Sequence, residues 1–266
     1  MVGDIIKMVR IFIIFTVLLL TACSTQTSNN NFSRNVYHNV LLLKKDNVPS
    51  SFFPKEMEIL SIGDSLTEGV GDITNNGGYT SFLKRHIQGR NDISSVEIFN
   101  FGVEGHTSND LLQRIKNDIP TEVIVNSDTI IITIGGNDIM QVVQNNFMNL
   151  TYEPFNVERN NYEQRLKQII EKIKSINEDS QIYVVGLYNP FIHIGDIFGD
   201  IERVITEWNK VTQEVLLQYD DTTFVEIEDI FKNSNEILLY SDDFHPNTRG
   251  YELISQRIHE YLDQAN

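Results

Sequence analysis

Ile59-Leu60-Ser61-Ile62-Gly63-Asp64-Ser65-Leu66-Thr67-Glu68-Gly69 is the stretch on which the reading of the fold turns. A short apolar run breaks at a glycine, a polar turn holding a serine follows, and a second glycine closes it. The run has the length and β-branched content of a buried strand, and the turn leads into a helical stretch. This order predicts that Ser65 sits at a strand-to-helix handover, its hydroxyl exposed by the flanking glycines near a helix N-terminus.

Four more strand-like runs follow: Val96–Phe101, Ile130–Ile134, Ile182–Leu187 and Phe224–Ile227. Near-continuous apolar runs suit strands covered on both faces. Between them, Tyr162, Leu166, Ile169, Ile170, Ile173 and Ile176 recur at helical spacing, as do Tyr251, Ile254, Ile258 and Tyr261. Five strands alternating with helices predict an α/β fold, a central five-stranded parallel sheet between helix layers with right-handed crossovers. Ligands of such sheets bind beyond the carboxyl ends of the strands. Ser65, Gly102 to Gly105, Gly135-Gly136-Asn137-Asp138 and Asp242 to His245 all fall on that rim.

Composition narrows the partners. Lys and Arg total 21 against 37 Asp and Glu, a formal charge of -16. No basic footprint for nucleic acid exists, anionic surfaces repel the chain, and a neutral or zwitterionic substrate fits better. The single cysteine, Cys23, leaves no disulfide within the chain, so the fold rests on core burial.

Lys7 and Arg10 lead an apolar run, Ile11 to Leu20, that ends in Leu20-Thr21-Ala22-Cys23. This order reads as an export signal, too short for a spanning helix of about 20 residues. The last four residues resemble the lipobox of bacterial lipoproteins, in which the cysteine is lipidated and becomes the mature N-terminus. The resemblance implies a signal peptide over 1–22 and a lipidated Cys23 with a polar tether over 23–54, which leaves a domain over 55–266 on the outer face of the cell membrane. An ordinary cleaved signal followed by a free or buried cysteine is the plainer alternative.

The rim residues suit acyl transfer. A serine attacks a carbonyl only when a base takes its proton, and the oxyanion needs donors already in place. Ser65 is the candidate nucleophile and His245 the base, with Asp242 three residues earlier able to hold its ring. The backbone N–H groups of Ser65 and Gly105 and the amide of Asn137 are candidate oxyanion donors. Each residue alone has a plainer reading: Ser65 and Gly105 as turn residues, Asn137, Asp242 and Asp243 as helix caps, His245 as a loop histidine.

Gly63-Asp64-Ser65-Leu66, Gly102-Val103-Glu104-Gly105, Gly135-Gly136-Asn137-Asp138 and Asp242-Asp243-Phe244-His245-Pro246-Asn247 resemble the four ordered blocks of the SGNH/GDSL hydrolase superfamily. The resemblance covers roughly residues 57 to 263. It implies a flavodoxin-like three-layer α/β/α sandwich and a Ser-Asp-His triad of Ser65, Asp242 and His245. The oxyanion hole it implies comprises Ser65, Gly105 and Asn137. Gly105 is preferred to Gly102 because in the family pattern the donor glycine precedes a polar residue and Thr, here His106 and Thr107. The Asp-x-x-His spacing selects Asp242 over Asp243. Glu104 departs from the small residues common in the second block.

The Gly-x-Ser-x-Gly elbow of α/β-hydrolases does not match, since position 67 is Thr. No phosphate loop, dinucleotide fingerprint or metal-ligand set occurs, so no metal and no organic cofactor is expected. His193, beyond the fourth strand, is a solvated loop histidine or a substrate contact. Phe147, Tyr152 and Phe155 lie in an apparent polar insertion over 147–160, read as a docked loop with an apolar lid as the rival. Trp208 is expected in a helix core.

The resemblance implies a serine esterase or lipase cleaving carboxylic esters, whether lysophospholipid, short acyl ester or thioester, through an acyl-serine. Two rivals stand beside it: an O-acetyl esterase of cell-wall or other glycans, and a non-catalytic surface lipoprotein.

Overall fold

The computed structural model describes residues 53–191 and 201–264. Cys23 and His193 lie outside the described residues. The elements alternate in chain order: β1 (Lys55–Gly63), α1 (Ser65–Glu68), α2 (Tyr79–Gln88), β2 (Ile93–Gly102), α3 (Ser108–Asn117), α4 (Thr121–Asn126), β3 (Thr129–Thr133) and α5 (Gly136–Asn145). Then come α6 (Tyr152–Ile176), β4 (Gln181–Val185), α7 (Ile201–Leu216), β5 (Thr222–Val225), α8 (Glu228–Lys232) and α9 (Thr248–Gln264).

The five strands form one sheet of order β2-β1-β3-β4-β5, parallel throughout. This is the doubly wound order of flavodoxin-like sheets, whose connections reverse direction between β1 and β3. Side chains alternate across it. Leu60, Ile62, Ile130, Ile132, Ile182 and Val184 face a core built with α3 to α7, including Leu166, Ile170 and Trp208. Ile59, Ile131, Tyr183, Val185 and Val225 face a second core with α2, α8 and α9. Trp208 is 1% exposed, in the helix core where the sequence put it.

Strand register sets the rim. Gly63 pairs with both Gly102 and Thr133, Thr133 with Val185, and Val185 with Val225, so all five carboxyl ends are level. The segments carrying Ser65, Gly105 and Asn137 leave from neighbouring strand ends. At Gly63, φ is +142°, and an added Cβ would lie 2.0 Å from the Thr133 carbonyl oxygen. Only glycine lets the chain turn this close to β3.

Two expectations need correction. The edge strand β2 is only partly covered: Ile93 and Val96 are buried and Ile98, Phe99 and Phe101 half-buried against the cores, while Ser94, Ser95, Glu97 and Asn100 are exposed at the sheet's edge. The apparent insertion before the long helix is in large part that helix. Tyr152 and Phe155 lie within α6, and Phe155 is 4% exposed. Pro154 falls in its first turn, where proline costs no helical hydrogen bond. Phe147 sits on a one-turn 3-10 helix, Phe147–Asn149, with its ring in solvent.

Candidate active site

Asp64 caps α1: its carboxylate accepts from the Leu66 N–H at 3.1 Å and from Thr133 Oγ1 at 2.8 Å. Thr67 ties the same turn to the sheet, its hydroxyl within 2.9 Å of Tyr79 Oη and 2.8 Å of Thr133 Oγ1. These bonds bury the turn, and Ser65 is only 2% exposed. Its hydroxyl is therefore not held out in solvent as the glycine-flanked turn suggested. It lines a cavity instead, because β3 and α9 pack around it.

His245 reaches it from the segment before α9. His245 Nε2 stands 2.9 Å from Ser65 Oγ, and His245 Nδ1 stands 2.7 Å from Asp242 Oδ2. Asp242 Oδ1 also accepts from the backbone N–H groups of Phe244 and His245, each at 3.0 Å. Burial pushes the Asp242 carboxyl up, but the His245 ring and these two N–H groups outweigh it and hold it below the usual carboxylate range. A carboxylate on Nδ1 selects the tautomer whose Nε2 can accept the serine proton.

This segment is closed on itself. The Tyr240 N–H donates to the His245 carbonyl at 2.8 Å and the Asn247 N–H to the Leu238 carbonyl at 2.8 Å. Tyr188 Oη, from beyond β4, donates to the Phe244 carbonyl at 2.6 Å. Asp243 takes the left-handed φ of +54° that the tight turn demands.

The three candidate oxyanion donors differ in setting. Asn137 shares the cavity lining with Ser65, and its amide donates to the His106 carbonyl at 2.9 Å, leaving a second N–H to spare. Gly105 lies one residue before His106, outside that lining, with φ +78°. The N–H groups around it are committed: Gly102 to Asn100 Oδ1, Val103 to the Gly63 carbonyl, Glu104 to the Glu68 carboxylate, His106 to the Val103 carbonyl and Thr107 to Asp110. Among the described residues the Gly105 N–H is unspent. So is that of Ser65, as expected for the first residue of a helix.

Behind Asn137 lies an ionic clasp that sequence reading did not find. Asp138, 1% exposed, accepts from the Ser108 N–H at 2.9 Å and Ser108 Oγ at 2.6 Å. Arg165 of α6 donates to Ser108 Oγ at 2.6 Å and to Asp138 at 2.9 Å, and also pairs with Glu158. Burial raises the Asp138 carboxyl, opposed by Ser108 and Arg165. The clasp fastens the loop carrying Gly105 to the helix carrying Asn137. Asp138 was visible in its motif, whereas nothing in the sequence marked Arg165.

The cavity beside Ser65 is mostly apolar, walled by Ile134, Met140, Leu187, Ile205, Phe191 and Phe244. Among the described residues no group of His, Cys, Asp and Glu could hold a metal ion. A serine hydroxyl, an imidazole and a carboxylate in hydrogen-bonded series, with N–H donors nearby, form an arrangement that can carry acyl transfer.

Fold and site together define a serine hydrolase acting on carboxylic esters. The chain belongs to the GDSL-like Lipase/Acylhydrolase family, whose model matches residues 61–253. It is 34% identical over 258 residues to the protein YpmR of Bacillus subtilis (strain 168), covering 95% of this chain and 96% of that one. Among solved structures, it resembles the lipase Lip_vut3 from a goat rumen metagenome with a TM-score of 0.69 at 23% identity, over 77% of this chain and 96% of that one. It also resembles a catalytic mutant of Axe2, an acetylxylan esterase from Geobacillus stearothermophilus. There the TM-score is 0.60 at 19% identity, over 78% of this chain and 94% of that one. At these identities the structural likenesses establish the fold.

Proposed function

We propose that the chain is an O-acetyl esterase of glycans, working through an acyl-serine at Ser65. The observation that carries this reading is the size of the cavity beside Ser65, about 50 Å³. That is room for a few water-sized groups, matching an acetyl or similarly short acyl chain. The kinship in fold with an acetylxylan esterase supports the same choice.

In the proposed cycle, Ser65 Oγ attacks the ester carbonyl while His245 Nε2 takes its proton. Asp242 holds the ring and stabilises the imidazolium. The N–H groups of Ser65 and Gly105 and the Asn137 amide receive the oxyanion, where losing one such donor costs about 10² to 10³ in rate. His245 then protonates the leaving alcohol oxygen, and a water activated by the same nitrogen cleaves the acyl-serine to release acetate.

A longer acyl group, as in a lysophospholipid, is the second reading, favoured by the apolar walls Met140, Leu187 and Ile205. A panel of p-nitrophenyl esters separates the two readings. kcat/KM should peak at acetyl and fall by at least about tenfold by octanoyl. A peak at octanoyl or beyond, with fatty acid released from lysolipid and no acetate from O-acetylated polysaccharide, overturns it.

The proposal includes export and lipid anchoring at Cys23, supported by the lipobox-like Leu20-Thr21-Ala22-Cys23. Cells expressing Cys23→Ala should fail to incorporate an alkyne-palmitate label into the protein. Undiminished labelling of that variant contradicts the anchor.

A further inference from the structure

A second cavity of about 270 Å³ is lined by Asn189, Pro190, Phe231, Ser234 to Leu239 and Asp243. It shares Pro190 with the cavity beside Ser65, and the chain neighbours Asp243 and Phe244 line the second and the first respectively. The two hollows thus flank the segment that carries Asp242 and His245. An ester has two halves, and a site with one hollow for each would seat both.

The two linings differ in chemistry. The first is apolar. The second sets polar side chains around an apolar floor of Phe231, Leu238 and Pro190. Several of its polar groups have no partner. Asn189 is 7% exposed, and its oxygen accepts from the Phe191 N–H at 2.9 Å. Its amide nitrogen makes no hydrogen bond among the described residues, and neither do the side chains of Asn235 and Asp243. These groups face solvent and are free to hydrogen-bond a ligand that enters the cavity.

Charge narrows the ligand. The cavity holds two carboxylates, Glu236 and Asp243, and no basic residue among its described lining. Arg249, paired with Glu236 of the lining at 3.1 Å, is shared with Glu252 at 2.7 Å. A phosphodiester headgroup would meet net repulsion here. A neutral sugar would not, since its hydroxyls donate to carboxylates and accept from amides while its C–H face packs on apolar surface.

We propose that this cavity is the subsite for the alcohol half of the substrate, and that it takes a neutral sugar ring whose acetyl group reaches Ser65. The inference rests on the glycan reading above and specifies which residues hold the sugar.

The test compares wild type with Asn235→Ala/Glu236→Ala, which removes two hydrogen-bonding groups of the lining outside the segment that carries Asp242 and His245. A second variant, Asn235→Trp, fills the cavity from an exposed position. Both are assayed on p-nitrophenyl acetate, whose alcohol half carries no sugar, and on an O-acetylated xylooligosaccharide. The expected result is p-nitrophenyl acetate turnover within about twofold of wild type, with KM for the oligosaccharide raised about tenfold. Unchanged KM on the oligosaccharide in both variants overturns the subsite and leaves the glycan reading standing. Equal loss on both substrates also overturns it, because the residues would then act through the His245 segment. Wild type that turns over p-nitrophenyl acetate but releases no acetate from the oligosaccharide overturns subsite and glycan reading together.

Discussion

Asp64 holds the turn that carries Ser65 on a buried carboxyl. Burial pushes its pKa up to about 6 from 3.8, against hydrogen bonds from Thr133 and the Leu66 N–H that pull it down. A carboxyl raised in the folded state favours the fold in its protonated form. Its contribution is full below about pH 4 and is lost as pH rises through about 6. Relative to Asp64→Asn, wild type should therefore lose roughly 3 kcal/mol of unfolding free energy between pH 4 and pH 7, read from urea titrations. A difference that stays constant with pH contradicts this. At this scale the sequence was most legible where chemistry is local. Ser65 sits in one short turn, and Asp242 meets His245 across an i,i+3 spacing. Burial of Ser65 was not legible, because Thr133 and Tyr79 bond Thr67 of the same turn and Tyr251 donates to the Ser65 carbonyl, all from distant elements.

Elements were legible where apolar runs were dense. All five strands and the long helix lie where hydrophobic pattern put them, but their bounds moved. β1 begins at Lys55, four residues before its apolar run, since ladder pairing with β2 does not require apolar side chains. α6 begins at Tyr152 despite Pro154. That early start matters, for α6 presents Arg165 to Asp138 and Ser108, a contact between residues far apart in sequence. Breaking a buried ion pair from one side leaves the other charge uncompensated. Arg165→Met should destabilise the fold by about 3 kcal/mol. It should also lower kcat with little change in KM, because the clasp ties the Asn137 helix to the Gly105 loop. Arg165→Lys, which keeps the charge on Asp138, should recover part of both losses. A variant that loses stability while keeping full kcat contradicts the link to the oxyanion donors.

The whole molecule brings its four motif segments to one rim because the strand ends are level at Gly63, Gly102, Thr133, Val185 and Val225. The parallel α/β architecture could be read from the alternation of elements. The second cavity could not, since it forms between the segment after β4 and the one before α9, which share no sequence pattern. In the proposed cycle Ser65 becomes acylated with His245 as its base. Mass spectrometry of the protein after reaction with a fluorophosphonate reads this directly. A single adduct is expected on the peptide containing Ser65, absent from Ser65→Ala and strongly slowed in His245→Ala. An adduct on another residue, or equal labelling of Ser65→Ala, would contradict it.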